Sequence, residues 1–178
     1  YNFMQTPTRL FFLNATMKHL PVAGYHRFIH GIASMDIRLL SLFKVQYQAG
    51  GKMNQSETVT FFNDMCCLAP ATLIDSRIQW LEVNGNDVCA SFTHEGITIK
   101  AWLYFNDLGE LINFISTDRY SFDAGKILPW STPLHDYKQI GTHKLMSKAE
   151  TVYCYPERQE CYGTFQLNSV EYNCDAFN

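Results

Sequence analysis

Four extended runs follow one another between residues 78 and 117: IQWLEV, VCASFT, ITIKAWLYF and ELINFIST. Polar separators stand between them, NGND at 84–87, HEG at 94–96 and NDLG at 106–109. Asn, Asp and Gly accept the backbone of tight turns, so this spacing predicts a meander of adjacent antiparallel strands. In the third run Ile97, Ile99, Ala101, Leu103 and Phe105 share one face, and Trp102 and Tyr104 make the end of the other face aromatic. Both faces therefore need partial cover, from a helix on one side and from the sheet's own curl or another layer on the other.

Residues 54–74 supply the helix. Val59, Phe61, Phe62, Met65, Cys66, Leu68 and Ala69 fill about half of a helical wheel, and Glu57, Thr60, Asn63, Asp64 and Cys67 fall on the remaining arc. Asn54, three residues before Glu57, fits a capping box that places Glu57 in the favourable first turn, and Pro70 marks the stop of the regular run. Strand-like sequence precedes it at 10–17, broken by Pro21 and Gly24, then at 25–29, 32–40 and 43–47, with Gly50-Gly51 turning into the helix. Beyond the meander, 121–136 reads as a loop rich in Pro129, Trp130 and Pro133, and extended runs resume at 136–139, 143–155 and 161–173.

The prediction is a single mainly β (α+β) domain over residues 1–178, a curved antiparallel sheet or half-barrel with one principal amphipathic helix on its concave face. A content of 47% hydrophobic and 15% aromatic residues supports a packed core. A net charge of -3 gives the whole chain no electrostatic reason to approach nucleic acid or an anionic membrane. No run of about 18 apolar residues provides a transmembrane segment in this chain. The six cysteines form no CxxC pair; Cys154 and Cys161 flank the turn YPERQE, to be read either as a disulfide across a hairpin or as free thiols.

Several side chains are candidates for chemistry, each with a bland alternative. Glu57 and Asp64, seven residues and about 10 Å apart along a helix, suit acid and base roles or a solvated face. Arg119, at the end of an apolar strand, can hold a carboxylate or phosphate, or pair structurally with Glu57 or Asp64. Trp80, Trp102 and Trp130 can line an apolar pocket or fill a core. His26 and His30, four apart on a strand, are separated by about 13 Å, too far for one ion. Cys66 and Cys67 point to different helix faces, and neither a phosphate loop nor a nucleophile motif stands out. No cofactor is implied.

The order of GYHRFIHGIASMDIRLLSLFKV, Ser56-Glu57-Thr58-Val59, Pro70 with Leu73, Trp80, Asp118-Arg119-Tyr120, Pro129-Trp130 and the closing VEYN resembles a bacterial domain family of uncharacterised function, often found downstream of an N-terminal hydrophobic anchor. The resemblance implies that the chain is a piece of a longer protein with further strands upstream, located outside the cytoplasmic membrane and membrane-anchored through a preceding segment, with a cytoplasmic location as the alternative. The predicted architecture is also similar, at the level of fold, to the half-barrel of bacterial lipoprotein carriers. That analogy implies an apolar cleft between helix and sheet for a lipid-like or other hydrophobic small molecule, with Phe62, Trp80, Trp102 and Trp130 as contacts and Glu57 or Arg119 at its polar mouth. The alternatives are a hydrolase or isomerase using Arg119 with Glu57 or Asp64, and a structural or interaction domain with a fully packed core and no ligand.

Overall fold

A computed structural model describes residues 2–174. Strands β1 (Asn2–Phe3), β2 (Thr8–Met17), β3 (Leu20–Ile29), β4 (Ile32–Leu39) and β5 (Phe43–Ala49) form one antiparallel sheet in sequence order. Helix α1 (Gly51–Leu68) and a 3₁₀ turn (Pro70–Ile74) follow. Strands β6 (Ile78–Asn84), β7 (Asp87–His94), β8 (Ile97–Phe105), β9 (Leu111–Ser121), β10 (Lys126–Ile140), β11 (His143–Cys154) and β12 (Gln159–Gln166) form a second antiparallel sheet, again ordered by sequence. The fold class matches the prediction, and the expected meander is β6 to β9. The strands nevertheless divide into two sheets, because the helix intervenes between β5 and β6.

The helix lies between both sheets. Phe61 packs on Phe28 of β3 and on Phe92 of β7, and Phe62 stacks on Phe92 with its edge to Phe114 of β9. All these rings are fully buried. A helix covered on more than one side needs little amphipathicity, which explains a departure from expectation: Glu57, Thr60, Asn63 and Cys67, assigned to a polar arc, are buried as well. The helix also begins earlier than the capping box suggested. Gly50, at φ 90°, is the N-cap, so Glu57 lies beyond the first turn, and the Asn54 Oδ1 instead accepts a hydrogen bond from the Ala33 amide of β4.

Three local expectations change. Pro21 and Gly24 lie inside β3 rather than breaking a strand; Pro21 sits near the strand start and its carbonyl accepts from the Leu40 amide, while Gly24 faces Leu13 where an added Cβ would come within 3.2 Å of the Leu13 Cβ. Most of the segment read as a loop at 121–136 belongs to β10, whose register shifts between Leu128 and Trp130 around Pro129. That irregularity accommodates a residue without an amide proton. Finally, Cys154 and Cys161 are both free, since Cys154 stands opposite Gln159 and Cys161 opposite Val152.

Gly31 joins the two sheets. It turns the β3–β4 hairpin at φ 71°, and an added Cβ would lie 2.7 Å from the Cβ of Glu95 in the β7–β8 turn. Both the backbone conformation and the space call for glycine.

Candidate functional site

The buried helix carries two carboxylates, Glu57 and Asp64, two turns apart on the side facing the N-terminal sheet. Alternation along β2 turns Arg9 toward the helix, opposite Phe28, and its guanidinium bridges two helix carboxylates. Nε donates to Asp64 Oδ2 at 2.8 Å and Nη1 to Glu57 Oε2 at 3.2 Å. The Asn2 amide donates to the same Asp64 oxygen at 2.8 Å. His26 of β3 places Nδ1 3.7 Å from Glu57 Oε1, a contact longer than a hydrogen bond.

Glu57 is only 1% exposed. Burial pushes its carboxyl up, but the Arg9 charge, the His26 ring and the Arg119 charge together pull it down to about 2. Burial likewise opposes the charge on Arg9, and Asp64 and Glu57 outweigh it, raising its pKa above the ordinary value. The cluster is therefore an ionised bridge between helix and N-terminal sheet.

Arg119, from β9, approaches the helix from the other sheet. Its Nη1 donates to the Ser56 carbonyl at 2.8 Å and to the Thr60 hydroxyl, and its Nε donates to the Tyr153 hydroxyl at 3.2 Å. The guanidinium carbon sits 4.5 Å from the Trp130 ring centroid, in cation–π geometry. Trp130 Nε1 donates to the Tyr162 hydroxyl at 2.9 Å, and Tyr153 stacks on Tyr162. Among the described residues no carboxylate forms an ion pair with Arg119. The nearby Glu57 charge still helps to raise its pKa, against the larger opposing effect of burial.

Of the six residues expected to line a site, the structure joins four. Phe62, Trp130 and Arg119 form one stack through Phe114, and Glu57 lies one turn or less from the helix atoms that Arg119 holds. Trp102 does not join them. It pairs with Cys89 and Ile115, whereas its neighbour Leu103 pairs with buried Phe114, so Trp102 belongs to the face turned from the helix. Trp80, on the edge strand β6, is 50% exposed. The expected cleft between helix and sheet is filled by Phe61, Phe62, Met65, Phe92 and Phe114, every one fully buried.

Arg9, Tyr153 and Tyr162 escaped the sequence reading. Arg9 had one usable signal, a cation in phase with Phe11 and Leu13 on a strand whose alternate side chains face inward. Nothing in sequence distinguishes the two tyrosines from the other aromatics.

The inward face of the N-terminal sheet is the open region. Register places Arg9, Phe28 and Ala33 in one row under the helix, then Phe11, His26, Met35 and Gln48, then Leu13, Gly24, Ile37 and Gln46, then Ala15, Val22, Leu39 and Phe43, then Met17 and Leu20, so the face is apolar on β2 to β4 and carries two glutamines on the edge strand β5. Exposure rises along these rows: Phe28 and Ala33 are fully buried, Leu13 is 37% exposed and Met17 48%. Two shallow depressions mark the surface. One, at the end of this sheet, is lined by Asn14, Thr16, Pro21 and Ala23 of the opposite face together with Ala15 and Val22, and the other lies by the β11–β12 turn at Lys126, Tyr155 and Arg158. No helix is long and apolar enough to cross a membrane, and no group of three or more metal-ligating side chains exists among the described residues.

No curated protein and no solved structure matches the chain at a significant level. A family profile does: residues 1–165 match DUF6544, a family of unknown function, and the chain belongs to that family.

Proposed function

We propose that this is a noncatalytic binding domain for a lipid-like ligand, held on the open part of the inward face of the N-terminal sheet. The observation that carries the reading is the continuation of an apolar inward face beyond the helix that covers its first rows. Leu13, Val22, Ile37 and Leu39 keep the alternation of a core strand, yet Leu13 is exposed and the other three are only partly covered. Sheet faces that are simply solvated alternate with polar residues instead. A contiguous exposed apolar surface of this kind marks an interaction or ligand site. An acyl chain laid along these rows would end near His26 and Phe11, which stand edge to face with centroids 5.7 Å apart at the border of the ionised cluster.

The surface differs from the cleft expected from sequence, because the space beneath the helix is already packed. The hydrolase or isomerase alternative lacks a shared site: Glu57 and Asp64 are bonded to Arg9 on one side, and Arg119 is bonded to the helix backbone and Tyr153 on the other. Acid–base catalysis needs such groups to converge on one reacting atom.

Titration with a fluorescent fatty acid tests the proposal. Saturable binding that weakens at least tenfold in Leu13→Asp and Leu39→Asp, with unchanged circular dichroism, is the expected result. Absence of saturable binding to the wild-type chain, or equal binding by both variants, would overturn it.

A further inference from the structure

The net charge of -3 conceals a division. Residues 1–50 carry Arg9, Lys18, Arg27, Arg38 and Lys44 against the single carboxylate Asp36, while the remainder of the chain carries nine Lys and Arg against sixteen Asp and Glu. The N-terminal sheet is therefore cationic and the rest of the molecule anionic. Two of those five cations are occupied, Arg9 by Glu57 and Asp64 and Arg38 by Asp36. Lys18, Arg27 and Lys44 are exposed, and Lys44 lies over the ring of Tyr47.

The cations at the far end of the sheet are interleaved with apolar side chains. The β2–β3 turn presents Met17, Lys18, His19 and Leu20, and the β4–β5 turn presents Leu40, Leu42, Phe43 and Lys44. The Leu40 amide donates to the Pro21 carbonyl at 2.8 Å, so the two tips stand side by side at the end farthest from the helix. Leu42 is 75% exposed and Phe43 63%. Among the described residues, no acidic side chain lies within either turn sequence. Lys18, His19, Leu40 and Ser41 all have φ between 48° and 68°, so both turns use the left-handed backbone uncommon for residues other than glycine. Apolar tips with lysines beside them match an anionic bilayer surface, where greasy side chains enter the headgroup boundary and ammonium groups meet lipid phosphates.

We propose that the paired β2–β3 and β4–β5 tips dock this chain on anionic lipid bilayers, with Met17, Leu20, Leu42 and Phe43 inserted and Lys18 and Lys44 at the phosphates. This goes beyond the ligand reading and does not depend on it, since a bilayer can be bound without a lipid being extracted.

Co-sedimentation with vesicles of phosphatidylcholine alone, and of phosphatidylcholine mixed with phosphatidylglycerol, provides the test. The wild-type chain is expected to bind the mixed vesicles preferentially, and to lose binding as salt rises. Each basic residue near an anionic surface contributes roughly a factor of five, so Lys18→Gln/Lys44→Gln should weaken binding about 25-fold. Leu42→Ser, in the β4–β5 turn and outside the inward-facing rows, should weaken it at least fivefold and leave fatty-acid binding in place, which separates this proposal from the preceding one. Equal binding to both vesicle types, no binding to either, or variants indistinguishable from wild type would overturn it. So would a salt-sensitive dimer abolished by Lys18→Gln/Lys44→Gln without vesicle binding, because the cationic tips would then meet the anionic region of a second copy.

Discussion

The two sheets share a helix and use it differently. The second sheet buries Phe92, Ile99, Leu103, Phe114 and Trp130, four of its strands contributing to one dense aromatic and aliphatic layer. The first sheet buries Phe28 and Ala33 beside the helix and then runs on past it with the same inward alternation and rising exposure. One sheet is a finished core; the other is a core face that the described chain covers only at one end. Alternation tells which side chains share a face, while cover depends on where another element ends.

The largest effect belongs to the finished side. Phe62→Ala or Phe92→Ala should cost about 3–5 kcal/mol in urea unfolding, because each removes a fully buried ring from a layer with little room to collapse. A loss below about 1 kcal/mol would mean that this interior is looser than the comparison requires.

Breaking the bridge between the helix and the first sheet comes next. Glu57→Gln leaves Arg9 with Asp64 alone and should cost about 3 kcal/mol or more, as removal of one partner from a buried pair does. Its pH signature is more specific than its size. Glu57 has a folded pKa of about 2, below its ordinary 4.5, so its stabilisation is complete above the ordinary value and disappears as pH falls through the folded one. The shift corresponds to about 3 kcal/mol. Acid unfolding of wild type and Glu57→Gln should therefore converge toward pH 2; parallel curves would contradict the assignment.

A smaller loss is expected at the direct contact between the sheets. Gly31→Ala meets both a positive φ and the Glu95 side chain, and should cost about 1–3 kcal/mol by thermal denaturation. The smallest effect belongs to the open end, where Leu42→Ser/Phe43→Ser should alter stability by no more than about 0.5 kcal/mol per substitution. A large destabilisation there would show the tips to be part of the packed structure.

Much of this division was legible in sequence. Turn residues at 84–87, 94–96 and 106–109 predicted the meander, and Val59, Phe61, Phe62 and Met65 identified a helix that is buried as expected. Of the six residues named together as a site, Glu57, Phe62, Arg119 and Trp130 lie near one another, whereas Trp80 and Trp102 stand apart from them. What could not be read was cover from a distance. A second sheet against the helix turns its polar arc inward, and pairing by Arg9 from 48 residues away makes a buried Glu57 tolerable. Pro129 and Pro133 suggested a loop by local propensity, yet pairing with β9 and β11 on either side holds β10 as a strand. The charge division was also available in sequence, but a total over the whole chain averages it away.

Methyl NMR during titration with dodecanoate tests the division between finished and open sheets most directly. Shifts concentrated on Leu13, Val22, Ile37 and Leu39, with Val59, Ile99 and Leu103 unmoved, are the expected result. Shifts centred on Val59, Ile99 and Leu103, or none at any of these methyls at millimolar ligand, would contradict it.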